Sequence, residues 1–162
     1  MPLDDFIAND KTIRRNHFYS KLLEGMTGKG KLLGLPADFS PIITFYNKDI
    51  FDKYNVKYPS PDWTWSEYLE KSKALTKDTD NDGFIDLWGT ANPDAYNRWP
   101  VWVWANGGEI FTPDLTRCTM DSPAAIEGLK FYVDLSLTEK VAPTPGESMG
   151  QGYEETFMAR NT

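Results

Sequence analysis

Asp78, Asp80, Asp82 and Asp86 stand at positions one, three, five and nine of the run Asp78-Thr79-Asp80-Asn81-Asp82-Gly83-Phe84-Ile85-Asp86, with glycine at position six. Hard cations such as calcium take several oxygen ligands, and this spacing wraps carboxylates around one point. The backbone carbonyl of Phe84 would add another oxygen. Position twelve is Gly89, where a full EF-hand loop carries a bidentate glutamate, so the set is one ligand short. The competing reading is a solvated acidic turn held by Asx hydrogen bonds. If a cation binds, its role here is structural, and calcium is the cofactor the spacing suits.

A second chemistry-bearing stretch is Asn92-Pro93-Asp94-Ala95-Tyr96-Asn97-Arg98-Trp99-Pro100. A sugar site needs aromatic faces for the apolar side of the ring and planar polar groups for its hydroxyls. This loop offers both. A third is Asp38-Phe39-Ser40, a polar connector between Pro36 and Pro41. Pro36 has no N–H to give a ladder, and Pro41 disfavours helix at Ser40, so the connector cannot be regular structure. It is either a plain loop or a hinge between two bodies.

Other chemistries are excluded or disfavoured. The chain has one histidine, His17, so His-dependent triads and His-rich zinc sites are out. One cysteine, Cys118, allows neither an internal disulfide nor a thiolate cluster. A net charge of −7 argues against nucleic acid and against an anionic membrane surface. The many carboxylates leave room for a glycoside-processing enzyme, which needs two of them suitably spaced. The densest acidic cluster, however, has cation spacing. Aromatic content of 14%, with six Trp, exceeds what a small core needs and points to rings at a surface.

The elements that must position these groups follow from pattern. Residues 1–12 read as the tail of a preceding turn, and residues 13–26 as a helix ended by glycines. Residues 31–35 and the β-branched and aromatic run 42–46 read as strands, the second buried. Asn47 is of the N-cap type and predicts a short helix after it. Thr64 and Glu67 form a capping box for a helix whose face is Trp65, Tyr68, Leu69, Ser72 and Leu75. Residues 87–90 read as a short strand. Residues 101–105 alternate and favour strand, leading through a turn into Glu109-Ile110-Phe111. The competing reading is a helix with Pro100 at its first position and Asn106-Gly107 at its end. Ser122 and Pro123 start a helix with Ala125, Ile126, Leu129, Val133 and Leu137 as its apolar face, and residues 153–158 a last short one. At 162 residues the chain fits the usual span of one domain, and no stretch approaches a membrane span. Residues 1–5 lack the features of a signal peptide, which taken literally reads as cytoplasmic.

The order of these motifs resembles the extracellular solute-binding proteins of sugar ABC transporters, the group that includes maltose-binding protein. The likeness rests on Leu33-Gly34-Leu35-Pro36 with Phe45-Tyr46-Asn47-Lys48-Asp49-Ile50-Phe51, on the helix beginning near Trp63, and on the acidic loop before Gly89. It rests further on Trp99-Pro100 with Gly107-Gly108, and on the helix after Asp121-Ser122-Pro123. It covers nearly the whole chain and tips residues 100–105 toward helix.

The resemblance implies an α/β, periplasmic-binding-protein-like (type II) fold, incomplete: the hinge plus much of the second lobe. Residues 1–36 would be a remnant of the first lobe, 37–46 the hinge strand, and 47–162 a partial second lobe. It implies a non-catalytic carbohydrate receptor, with a mono- or oligosaccharide and the transporter's membrane subunits as partners. It also places the parent protein outside the cell or in the periplasm, anchored as a lipoprotein. Tyr96 falls where the maltose-binding relative stacks an aromatic on its ligand, Asp94 at an acidic hydroxyl acceptor, and Ser40 at an acidic contact that is serine here. Trp99, Trp102, Asp38 and Phe39 complete the candidate set; for Trp99 and Trp102 the alternative is core packing. The isolated chain is expected to bind sugar weakly or not at all, and to self-associate through exposed apolar edges. A calcium-dependent interaction module is the other non-catalytic reading.

Overall fold

The computed structural model describes residues 1–91, 98–148 and 152–159, and the chain divides into two units, Met1–Ile43 and Thr44–Thr162. In the first unit, α1 (Asp4–Asn9) is followed by a 3-10 turn (Arg15–His17) and α2 (Ser20–Gly25). A hairpin then pairs β1 (Thr27–Gly28) with β2 (Lys31–Leu32), antiparallel, with Gly28 opposite Lys31. Lys29 and Gly30 take positive φ at the turn, the geometry that two-residue hairpins require. Asp4 ties α1 to the hairpin: its carboxylate accepts from Leu32 N–H at 3.1 Å and pairs with Arg15. Leu32, 1% exposed, is the buried anchor of this unit.

The second unit is helical: α3 (Lys48–Lys53), α4 (Trp65–Leu75), α5 (Pro100–Ala105), α6 (Pro123–Leu137) and α7 (Tyr153–Met158). The caps are those the residue types dictate. Asn47 accepts from Asp49 N–H, and Ser122 accepts from Ala125 N–H ahead of Pro123. Thr64 accepts from Glu67 N–H while the Glu67 carboxylate takes Thr64 N–H at 2.8 Å, the full capping box. α4 joins two apolar clusters. At its C-terminal end Leu75 packs with Ile50, Phe51 and Leu87; farther up, Tyr68 and Leu69 pack against Leu135, Val141 and Ala142.

Several expectations are corrected. Residues 1–12 hold a helix. Of the expected 13–26 helix only Ser20–Gly25 is α-helical, because the Asp10 carboxylate caps Thr12 and Ile13 N–H in a turn and Arg14 is extended. Residues 33–35 and 42–46 form no strand, and Ile42, Ile43 and Phe45 are exposed rather than buried. A strand needs backbone partners: Leu33 N–H still reaches Met26 carbonyl at 2.9 Å, but among the described residues 34, 35 and 42–46 make no backbone hydrogen bond. Residues 87–90 reduce to a single bridge between Lys77 and Leu87, and residues 109–111 to one between Phe111 and Cys118.

Residues 101–105 are helical, against their strand propensity. Gly107, at φ 73°, and Gly108, whose N–H reaches Val103 carbonyl at 2.9 Å, close that helix. The buried stripe of α6 is also not the most apolar one. Ala125, Gly128 and Leu135 face inward, while Ile126, Val133 and Leu137 are exposed. Gly128 decides this: a Cβ there would lie 2.5 Å from Trp102 carbonyl oxygen, so the bare backbone is what admits α5.

Candidate functional site

The N-terminal end of α5 carries Trp99, half-buried at the N-cap position, with Pro100 buried behind it. Asp94 and Tyr96, the acceptor and stacking residues expected from the resemblance, lie outside the described residues. One turn into α5, Trp102 is half-buried in an aromatic cluster. Its ring centroid is 5.8 Å from Trp65, 5.2 Å from Tyr68 and 5.1 Å from Phe131. Trp65 stacks on Phe131 at 4.4 Å, and Trp63 meets Tyr68 edge-on at 5.1 Å. Offset and edge-to-face contacts of this kind each add to the plain burial of the rings. The cluster gives α5 a stiff backing on α4 and α6.

Polar groups lock the same layer. The Tyr68 hydroxyl bonds the Thr90 hydroxyl, and burial pushes the Tyr68 phenol well above its ordinary range. It is therefore a neutral hydrogen-bonding group at every physiological pH. Thr90 N–H reaches Val141 carbonyl at 3.1 Å. Asn106, at the other end of α5, donates to Ala124 carbonyl and to the Glu127 carboxylate, each at 3.0 Å. The helix that follows Trp99 is thus held along its side by Trp102 and at its C-terminal end by Asn106.

Asp38, Phe39 and Ser40 belong to the first unit and are exposed. Phe39 meets Tyr19 edge-on at 6.0 Å. Two open clefts of about 290 and 350 Å³ lie in that unit, lined by Asp5, Phe6, Asn9 and Asp10, and by Arg15, Ser20, Leu23, Glu24 and Thr27. Neither contains a candidate residue. Spacing gave no sign of a third aromatic group: Tyr46, Phe51 and Tyr58 lie within 6.0 Å of one another. Tyr58 donates to Asp52 at 2.7 Å, and Lys48 sits over its ring. Tyr58 lies in a loop beyond the helix, where periodicity carries no signal.

In the acidic loop, one carboxylate oxygen each of Asp78, Asp80 and Asp86 lies within 4.8 Å of the others. Asp82 stands outside that group, and the Phe84 ring is exposed. The loop is also dense in Asx bonds. Asp78 accepts from Asn81 N–H at 2.7 Å and Gly83 N–H at 2.9 Å, and Asp82 accepts from Phe84 N–H at 2.8 Å. Asp86 accepts from the Thr79 hydroxyl at 2.6 Å and Thr79 N–H at 2.7 Å, and these bonds hold its carboxyl below the usual range. The converging oxygens retain free lone pairs, so the arrangement suits a hard cation and stands without one as well.

A family model described as bacterial extracellular solute-binding protein matches residues 1–159. An arabinooligosaccharide-binding protein of Halalkalibacterium halodurans is 27% identical over 97% of this chain, and a binding protein of Brucella abortus is 30% identical over 85% of it. This chain spans 32% and 33% of their respective lengths. An ABC substrate-binding protein from Listeria monocytogenes, solved in complex with cycloalternan, is 34% identical with a TM-score of 0.85. The match covers 98% of this chain and 40% of that one. The fold is periplasmic-binding-protein-like, type II, and incomplete relative to that structure.

Proposed function

The chain belongs to the bacterial extracellular solute-binding proteins, and from that premise we propose that it is the central part of a carbohydrate receptor serving an ABC importer. The reading is non-catalytic: a sugar is held against aromatic and polar side chains and handed to the transporter's membrane subunits. The observation that carries it is the likeness, at 34% identity over 98% of this chain, to a substrate-binding protein crystallised with an oligosaccharide. Trp99, Asp94 and Tyr96 are its ligand-facing group, with Trp102 as backing. Asp38, Phe39 and Ser40 are its contribution from the connector. The parent protein works outside the cytoplasmic membrane, tethered as a lipoprotein.

The test is calorimetry with a panel of mono- and oligosaccharides, run on this chain and on the protein encoded by the reading frame extended in both directions. Micromolar binding by the extended protein, weak or absent binding by this chain, and no release of reducing sugar are expected. Hydrolysis of any sugar in the panel would replace the receptor with an enzyme, and no binding by the extended protein would remove carbohydrate as the ligand. For loop 78–86 we propose a structural calcium ion, supported by the three converging carboxylates. Calcium-dependent folding with no sugar response in either protein would favour an interaction module.

A further inference from the structure

In sequence, residues 92–97 fall between two described flanks, and close backbone approach seats each flank. On the entry side a Cβ at Gly89 would lie 1.8 Å from Ser72 carbonyl oxygen, so the bare backbone there rests on α4. Gly89 N–H reaches the Thr76 hydroxyl at 3.1 Å, and Thr90 N–H reaches Val141 carbonyl at 3.1 Å. On the exit side Gly128 admits the backbone of Trp102 and Val103 to α6, and Trp102 N–H reaches Trp99 carbonyl at 3.1 Å. Tyr68 touches both sides. Its hydroxyl bonds the Thr90 hydroxyl, and its ring meets Trp102 edge-on with centroids 5.2 Å apart. The Thr90 hydroxyl gives its one proton to Ala91 carbonyl at 3.2 Å, so the Tyr68 hydroxyl is the donor between them. Packing against Leu135, Val141 and Ala142 holds the Tyr68 ring itself in place.

We propose that Tyr68 is a positioning residue for the carbohydrate site: one side chain sets the Thr90 flank against the Trp99 flank, and with them the ligand-facing stretch between. The inference rests on the reading of Asp94, Tyr96 and Trp99 as ligand-facing. Tyr68 acts through its neighbours, because its hydroxyl and its ring are both engaged within the layer. Fixing the ends of a binding segment in advance lowers the ordering cost when ligand arrives, so the gain appears as affinity.

The test has two arms, both on the extended protein. In hydrogen-exchange mass spectrometry without sugar, Tyr68→Phe is expected to speed exchange several-fold between Trp88 and Trp99 and to leave α6 unchanged. In calorimetry with maltose and cycloalternan as probes, Tyr68→Phe is expected to weaken binding about ten-fold, the measure of one hydrogen bond. Thr90→Val is expected to do the same, and the double variant no more, since both remove one contact. Ile50→Val, in the other apolar cluster, controls for stability: it is expected to lower the melting temperature comparably and to keep the parent affinity. Equal acceleration of exchange in α6 overturns the proposal. So does unchanged affinity in Tyr68→Phe, or an equal loss in Ile50→Val. If the parent binds neither probe, the carbohydrate reading is what fails, and the exchange arm alone decides whether Tyr68 sets the flanks.

Discussion

Residues 42–46 and 101–105 are built from the same kinds of side chain and end in opposite states. Both are β-branched and aromatic, uncharged, and bounded by proline on the N-terminal side. The first stays irregular and exposed. The second is a helix whose Val103 is fully buried. Intrinsic preference cannot separate them, because it spans only about 1 kcal/mol. What differs is the surroundings. Residues 101–105 have Pro100 at the first helical position, a Gly107-Gly108 terminator, and a glycine on α6 that lets their backbone approach. Residues 42–46 have no strand among the described residues to pair with.

The contact at Gly128 is therefore where this contrast breaks most easily. A Cβ there falls 2.5 Å from Trp102 carbonyl oxygen and 2.8 Å from Val103 Cα, both backbone atoms that cannot swing away. Gly128→Ala is expected to destabilise the protein by about 3 kcal/mol through overpacking, read as a lower urea midpoint followed by tryptophan fluorescence. An unchanged midpoint would mean that α5 is held by its own sequence and not by α6. Gly107→Ala probes the terminator alone. Nothing lies within 4 Å of its Cβ position, so the cost is that of a left-handed backbone, about 1 kcal/mol. A larger loss would show the turn to be more deeply coupled to α6.

These cases show what was legible in the sequence. The caps at Asn47, Thr64 and Ser122 were, because a cap is a local hydrogen bond between near neighbours. The α4 face was, because its period is local too. The inward face of α6 was not: its key residue is Gly128, which has no side chain for a hydrophobic pattern to register. The strand at 42–46 was misread because pairing is non-local. In the acidic loop, where spacing offered four carboxylates, three of them, on Asp78, Asp80 and Asp86, converge while Asp82 does not. The packing of Trp102 against Trp65, Tyr68 and Phe131 joins three helices and leaves no trace in any single stretch.

The exposed run gives the complementary prediction. Ile43→Ser, studied at dilution, is expected to change stability by less than about 0.5 kcal/mol, since the side chain is already in water. A midpoint loss comparable to that of Gly128→Ala would mean that residues 42–46 are packed in solution, and would erase the contrast.

The smallest effect sits in the acidic loop, which is dense in Asx hydrogen bonds. The Thr79 hydroxyl, with Thr79 N–H, holds the Asp86 carboxyl below its usual value. A folded pKa lower than the unfolded one contributes stability that is fully present above the ordinary carboxylate value and disappears as pH falls through the lowered one. Acidification from neutral to below that value should therefore cost Asp86→Asn less stability than the parent protein, by a margin visible in the melting temperature. The group is exposed, so the margin is small. Calcium at about 1 mM is expected to raise the melting temperature of the parent slightly and that of Asp86→Asn not at all, as befits a loop lacking the twelfth-position ligand. A chelator that unfolds the protein would reverse the ranking, because the loop would then depend on the ion and not on its Asx bonds.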